Sequence, residues 1–209
     1  MPDASEQTNT TESNPIDDFM LKEYESIASA HFDSQAGLRQ QFRFYLIIAA
    51  VPVTVLGLAF KDRPEREIQA LTFFDLPTLL TTVFLAIGVL GFLLLLSMIH
   101  TALDATMYAR TVNGVRNYFV ERAKGRGQKI ESYLVMPFDK QRPSYFHMRA
   151  FLWQVILISA VNTFYCAVFF HGVLQSKYAR WTAYLLLFVT QAAVYFIFAY
   201  LRGKKEVSD

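Results

Sequence analysis

Cysteine occurs once in the 209 residues, at Cys166, so the chain closes no internal disulfide and builds no cysteine-based metal cluster. Histidine occurs four times; His147 and His171 are set far apart along the chain from His100 and Asp104, so of the three or four ligands a metal site needs only those two are accounted for. The first residues, Met1 to Pro15, lack the basic and then apolar order of a secretory signal. They are polar and acidic, and read as a disordered acidic tail over 1–15.

The most informative absence is of charge. No Lys, Arg, Asp or Glu lies between Arg43 and Lys61, Asp75 and Asp104, Arg149 and Lys177, or Arg180 and Arg202, leaving uncharged runs of 17, 28, 27 and 21 residues. An α-helix needs about 20 residues to cross a hydrocarbon core of about 30 Å. The sequence therefore predicts an all-α membrane protein with four transmembrane helices: TM1 over 44–60, TM2 over 77–100, TM3 over 150–174 and TM4 over 181–201. The apolar content of 53% is only slightly above the roughly 45 to 50% of soluble chains, so it is the placement of charge that carries this reading. Four spans and short connections use nearly the whole chain, with no room for a separate soluble enzyme domain of about 100 residues.

Orientation follows from basic residues. Segments 1–43, 101–149 and 202–209 hold 15 Lys and Arg, against 5 in 61–76 and 175–180. Cytoplasmic loops retain the excess of Lys and Arg, so both termini and the basic segment 101–149 are expected in the cytoplasm, with 61–76 and 175–180 outside. The expected location is the plasma membrane, or the inner membrane of a bacterium. Segment 1–43 carries a net −5 and segment 101–149 a net +5. Two dispositions stay open: the N-terminal helix docks on the basic segment, or that segment lies against anionic lipid.

Asn14-Pro15-Ile16-Asp17-Asp18 has the chemistry of a helix start: a cap, a first-turn proline and two acids at the positive end of the dipole. Met20, Tyr24, Ile27, His31, Leu38 and Phe42 then recur at three- and four-residue spacing, with Ser34 breaking the series. They give an amphipathic cytosolic helix over 16–43 with one apolar stripe that needs a partner. Pro52 is expected to kink the first span. Gly88 and Gly91 in the second permit close helix approach. No breaker interrupts the helical pattern after His100 until Lys124-Gly125-Arg126-Gly127, so the second span should run on as one helix from Pro77 to Ala123.

Four polar residues, Ser97, His100, Asp104 and Tyr108, are spaced by 3, 4 and 4 and share one face of that helix at the membrane boundary. They are the candidate polar gate, since ionisable groups near membrane depth face a cavity or a partner. His100 and Asp104 are close enough in register to hydrogen bond. Ser97, His100 and Asp104 are the residue types of a hydrolase triad, yet three residues on one ridge do not converge on a substrate carbonyl as that chemistry requires. No catalytic set, metal site or cofactor is expected. Arg122, Lys124, Arg126 and Lys129 form a basic, glycine-containing turn suited to lipid or phosphate contact, without the order of a nucleotide loop. Gln154, Asn162 and Tyr165 in the third span and Gln191 and Tyr195 in the fourth are expected to hydrogen bond across the helix interface.

The expected function is that of a non-enzymatic multi-pass membrane protein, an oligomeric scaffold or gated pore controlled through its cytosolic helices. Its expected partners are the lipid bilayer and either further copies of itself or a second membrane or cytosolic protein; nucleic acid is not expected. The alternatives are an intramembrane or interfacial enzyme using His100 and Asp104, and a transporter subunit. In layout, though in no particular residue, four spans with helical cytosolic extensions look like the small membrane effectors of bacterial defence systems.

Overall fold

A computed structural model describes residues 14–61, 78–127, 142–144 and 149–208. The expected acidic tail and outer loop over 61–76 lie almost wholly outside these residues, as do Lys129 and His147. Four helices account for nearly all of the described chain: α1 (Pro15–Phe60), α2 (Thr78–Gly125), α3 (Arg149–Val173) and α4 (Lys177–Ser208). There is no strand among the described residues. Three of the helices, α2, α3 and α4, contain segments long and apolar enough to cross a membrane.

The start of α1 is the one its sequence calls for. Asn14 Oδ1 accepts a hydrogen bond from Ile16 N at 3.0 Å, Pro15 occupies the first turn and Asp17 and Asp18 follow. The helix then does not stop where its composition changes. The amphipathic segment 16–43 and the apolar segment 44–60, expected as two elements, form one helix of 46 residues with Pro52 inside it. Nothing in the sequence between Arg43 and Phe44 frees a backbone carbonyl or clashes with the previous turn, so propagation continues. α2 likewise runs unbroken for 48 residues, or about 72 Å at 1.5 Å per residue. Beyond it, Gly127 has a φ of 74°, a left-handed conformation that glycine adopts without strain and that ends helices.

α1 and α2 lie antiparallel along a common seam. Asp17 meets Arg122, Tyr24 meets Arg116, His31 meets Ala105 and Gln41 meets Ser97. A step of 24 residues along α1 is matched by 25 along α2, so the two helices stay in register over about 36 Å. The sequence supports this with a seven-residue recurrence. Tyr24, His31, Leu38, Tyr45 and Pro52 all turn inward on α1, and Phe84, Gly91, Met98, Ala105 and Val112 are buried on α2. A repeat of seven keeps one seam of a helix facing its neighbour. The apolar stripe from Met20 to Phe42 is thus the near half of a longer seam, with Tyr45, Ala49 and Pro52 continuing it into the uncharged segment.

α3 packs beside α2, and α4 folds back along α3. The turn between α3 and α4 leaves only Leu174, Gln175 and Ser176 outside the helices. Arg180, in the first turn of α4, closes it: its Nε donates to Leu174 O at 2.5 Å, and its Nη1 lies 2.9 Å from His171 Nε2. The guanidinium satisfies a carbonyl that the end of α3 leaves open. The core is a single cluster in which Phe84, Leu95, Met98 and Ile99 of α2 meet Tyr45 of α1, Val155 and Ile158 of α3 and Tyr195 of α4. Outside it, Ile47, Val51 and Leu58 of α1, Leu93 of α2 and Leu185, Leu186 and Ile197 of α4 are exposed. Apolar surface this extensive is unstable in water and suited to hydrocarbon. Trp153 and Trp181 are exposed near the starts of α3 and α4, and exposed aromatic rings near helix ends suit the level of lipid headgroups.

The glycines of α2 set the distance to α3. A Cβ on Gly91 would stand 2.0 Å from Asn162 Oδ1, and one on Gly88 2.7 Å from Cys166 Sγ. A Cβ on Gly57 would meet nothing within 4 Å. G91A should therefore destabilise the bundle by about 1 to 3 kcal/mol through overpacking, while G57A should be neutral or gain up to about 1 kcal/mol of helix propensity. Thermal unfolding of the purified protein in mild detergent checks this: a G91A midpoint equal to that of G57A contradicts the close approach.

Candidate functional site

Three polar features are available, one at mid-depth in the apolar part of the bundle, one at its edge and one in its charged half. The first joins three helices. Tyr45 of α1 donates to Asn162 Oδ1 of α3 at 3.1 Å, and Asn162 Nδ2 donates to Gln191 Oε1 of α4 at 3.2 Å. Tyr165 OH donates to the backbone carbonyl of Ala49. Asn162 and Gln191 make the bond across α3 and α4 that their residue types called for. Tyr45, which completes the set from α1, escapes a reading of α3 and α4 alone; its place in the seven-residue series with Tyr24, His31 and Leu38 was the available signal. Asn162, Gln191, Tyr45 and Tyr195 are all at most 5% exposed, so this set is a packed junction with no opening.

The second feature is the stripe Ser97, His100, Asp104 and Tyr108. The structure distributes it among the neighbours of α2. Ser97 Oγ accepts from Gln41 Nε2 of α1 at 3.3 Å, and the His100 ring stands edge-on to Phe198 of α4 at 4.9 Å between centroids. Asp104 Oδ1 takes Nη2 of Arg202, also on α4, at 2.5 Å. His100 and Asp104, although one turn apart, have different partners on α4, and no hydrogen bond joins them. The ion pair was missed because Asp104 and Arg202 are 98 residues apart. In the sequence Arg202 marks only the end of an uncharged run, while Asp104 both ends one and belongs to the polar stripe. Because α2 and α4 run parallel, with His100 beside Phe198 and Asp104 beside Arg202, the two charges that close these runs come to one level.

The third feature is the charged half, where α1 before Arg43 packs on α2 beyond His100. Arg122 pairs with Asp17, and Tyr118 OH donates to the same carboxylate at 3.4 Å. Arg116 donates to Tyr24 OH at 3.2 Å, with its guanidinium carbon 5.8 Å from the centre of that ring. Docking of the acidic helix on the basic segment is therefore the disposition found. It runs through Arg116 and Arg122. Lys124 bonds Glu121 on its own helix at 3.0 Å, and Arg126 is exposed in the turn. Met20 lines a shallow depression with Met107, Gly114 and Tyr118, while Ile27 is half-buried and Leu38 and Phe42 join or flank the core.

Residues 142–144, the return segment between α2 and α3, reach the same place. Arg110 Nε donates to Pro143 O at 2.9 Å, and Asn113 Nδ2 to Arg142 O at 2.8 Å. Between this segment, α1 and α2 lies a cleft of about 670 Å³, lined by Tyr24, Ala28, His31, Phe32, Ala109, Val112, Asn113, Arg116, Arg142, Pro143 and Ser144. Of these, sequence reading singled out only Tyr24 and His31. The others come from three separated segments, and no spacing within one helix announces such a cleft.

In comparisons with protein-family models, curated proteins and solved structures, nothing matches this chain. The site is therefore read from its own geometry. The Asp104 and Arg202 side chains are 43% and 38% exposed, so the pair should contribute no more than about 1 kcal/mol. In a double-mutant cycle with D104N and R202Q, the two losses should be non-additive by up to about that amount. The coupling should fall as salt is raised; additive losses would mean that the contact carries no energy.

Proposed function

We propose that the chain is a non-enzymatic membrane protein of four spans, with both termini in the cytoplasm, in which a two-helix cytosolic stalk controls an oligomeric scaffold or gated pore in the plasma membrane. The fourth span in this reading is the apolar half of α1, whose 17 uncharged residues from Phe44 to Phe60 reach about 26 Å. The observation that carries the proposal is the unbroken pairing of α1 and α2 from Asp17–Arg122 through His31–Ala105 to the Tyr45–Asn162 junction. A displacement at the charged end is carried toward the bundle through this pairing, because no proline interrupts α1 between Asp17 and Tyr45 or α2 along its length, and Pro52 lies beyond the junction. A change at the charged end thus reaches the helices in the bilayer.

The reading prefers a mechanical role to a chemical one because the two residues best placed for chemistry, His100 and Asp104, are held by Phe198 and Arg202. The broad exposed apolar surface of α4 suits contact with lipid or with further copies of the chain.

Topology comes first among the tests. Cys166 is 6% exposed, so single cysteines can be added over a low background. E23C and K204C should react with a membrane-impermeant maleimide only in permeabilised cells, and S176C in intact ones. Labelling of E23C on the same side as S176C sinks the four-span reading. For the pore, charge reversal by D17K should open the stalk to protease and change the signal of a membrane-potential dye, and D17K with R122E should restore both. A scaffold predicts the protease change with a constant potential; constancy in both removes the stalk as the controlling element.

A further inference from the structure

The cleft in the stalk has features that packing alone does not require. Its volume, about 670 Å³, falls within the roughly 300 to 1,000 Å³ of small-molecule sites. Its walls are of two kinds. Phe32 and Tyr24 present aromatic rings, with Ala28, Ala109 and Val112 between them, whereas Arg116 and Arg142 bring two guanidinium groups. No carboxylate lines it among the described residues, although eight acidic side chains lie in the first 43 residues of the chain. Asp17 pairs with α2 at Arg122, beyond the cleft.

Several of these groups are already oriented. Arg116 is held over the Tyr24 ring and against its hydroxyl. Asn113 is 8% exposed, and its amide nitrogen fixes the Arg142 backbone by a bond of 2.8 Å. His31 Nδ1 lies 2.9 Å from Ala105 O; a carbonyl only accepts, so that nitrogen carries the proton and Nε2 is left uncommitted. Phe32, by contrast, is 70% exposed at the mouth of the cleft, a large ring left in water where burial would favour it.

We propose that this cleft binds a small anion built on a planar ring, of mononucleotide size, with the ring against Phe32 and Tyr24 and the anionic group toward Arg116 and Arg142. Guanidinium groups suit this chemistry because they offer planar, paired donors to phosphate or carboxylate and also stack on rings. The ligand would bridge α1, α2 and the return segment, so it would stabilise the closed stalk. That regulatory consequence rests on the stalk being the controlling element; the binding itself does not.

The test is titration calorimetry on the full chain in mild detergent at fixed salt, with AMP as the ring-bearing anion, adenosine as the ring alone and inorganic phosphate as the anion alone. AMP should bind saturably, and adenosine and phosphate each at least about tenfold more weakly, a difference of about 1.4 kcal/mol. R142Q and F32A alter exposed side chains and should weaken AMP by a similar factor without moving the thermal midpoint. Absence of saturable AMP binding at millimolar concentration overturns the proposal, as does AMP binding that ignores both variants. Saturable binding that leaves membrane potential and protease protection unchanged would uphold the site and count against the stalk as a control element, so the two readings fail separately.

Discussion

The constraint on which the rest depends is the antiparallel seam between α1 and α2. Each helix is far longer than a bilayer is thick, and a lone helix of 46 residues with a charged half and an apolar half would have nothing to hold its charged half in place. Pairing solves this for both. Tyr24, His31, Leu38 and Tyr45 meet the inward residues of α2 at a seven-residue repeat, so one geometry serves the seam through the membrane-like core and out into the charged stalk. The outer faces change from charged to apolar along the two helices, and the seam stays as it is.

Within the apolar part, packing and polarity make one demand. Where nothing but hydrocarbon surrounds a bundle, burying apolar side chains gains little, and close approach with internal hydrogen bonding holds helices together. Gly88 and Gly91 let α3 come near enough for Asn162 to take Tyr45 on one side and Gln191 on the other. The amide is the group best suited to that position, since it donates and accepts at once. At the edge of the apolar region the same logic is relaxed. Asp104 and Arg202 are half-exposed, where water shares their solvation and their pairing contributes modestly.

The charged half is organised by opposite charge and by rings, and it is the part of the molecule with room in it. Arg122 and Arg116 reach across to α1, and the return segment is tied by backbone carbonyls to Arg110 and Asn113. The cleft beside Phe32 lies where these three elements meet.

Much of the architecture was legible in one dimension. Uncharged runs, the Asn14-Pro15 start, the absence of a breaker before Gly125 and the stripe from Met20 to Phe42 are local properties, and helix formation depends on neighbours within four residues. They determined an all-helical chain, its long second helix, and the face of α1 that needed a partner. What only the tertiary structure decided was which residues meet: Asp17 with Arg122, Asp104 with Arg202, Tyr45 with Asn162, and His31 with a carbonyl of α2. Those partners are about 74 to 117 residues apart, and the period of a helix specifies a face without naming what will lie against it. The continuity of α1 across Arg43 belongs to both levels: no residue there stops a helix, but only the fold revealed that a single seam runs on each side of it.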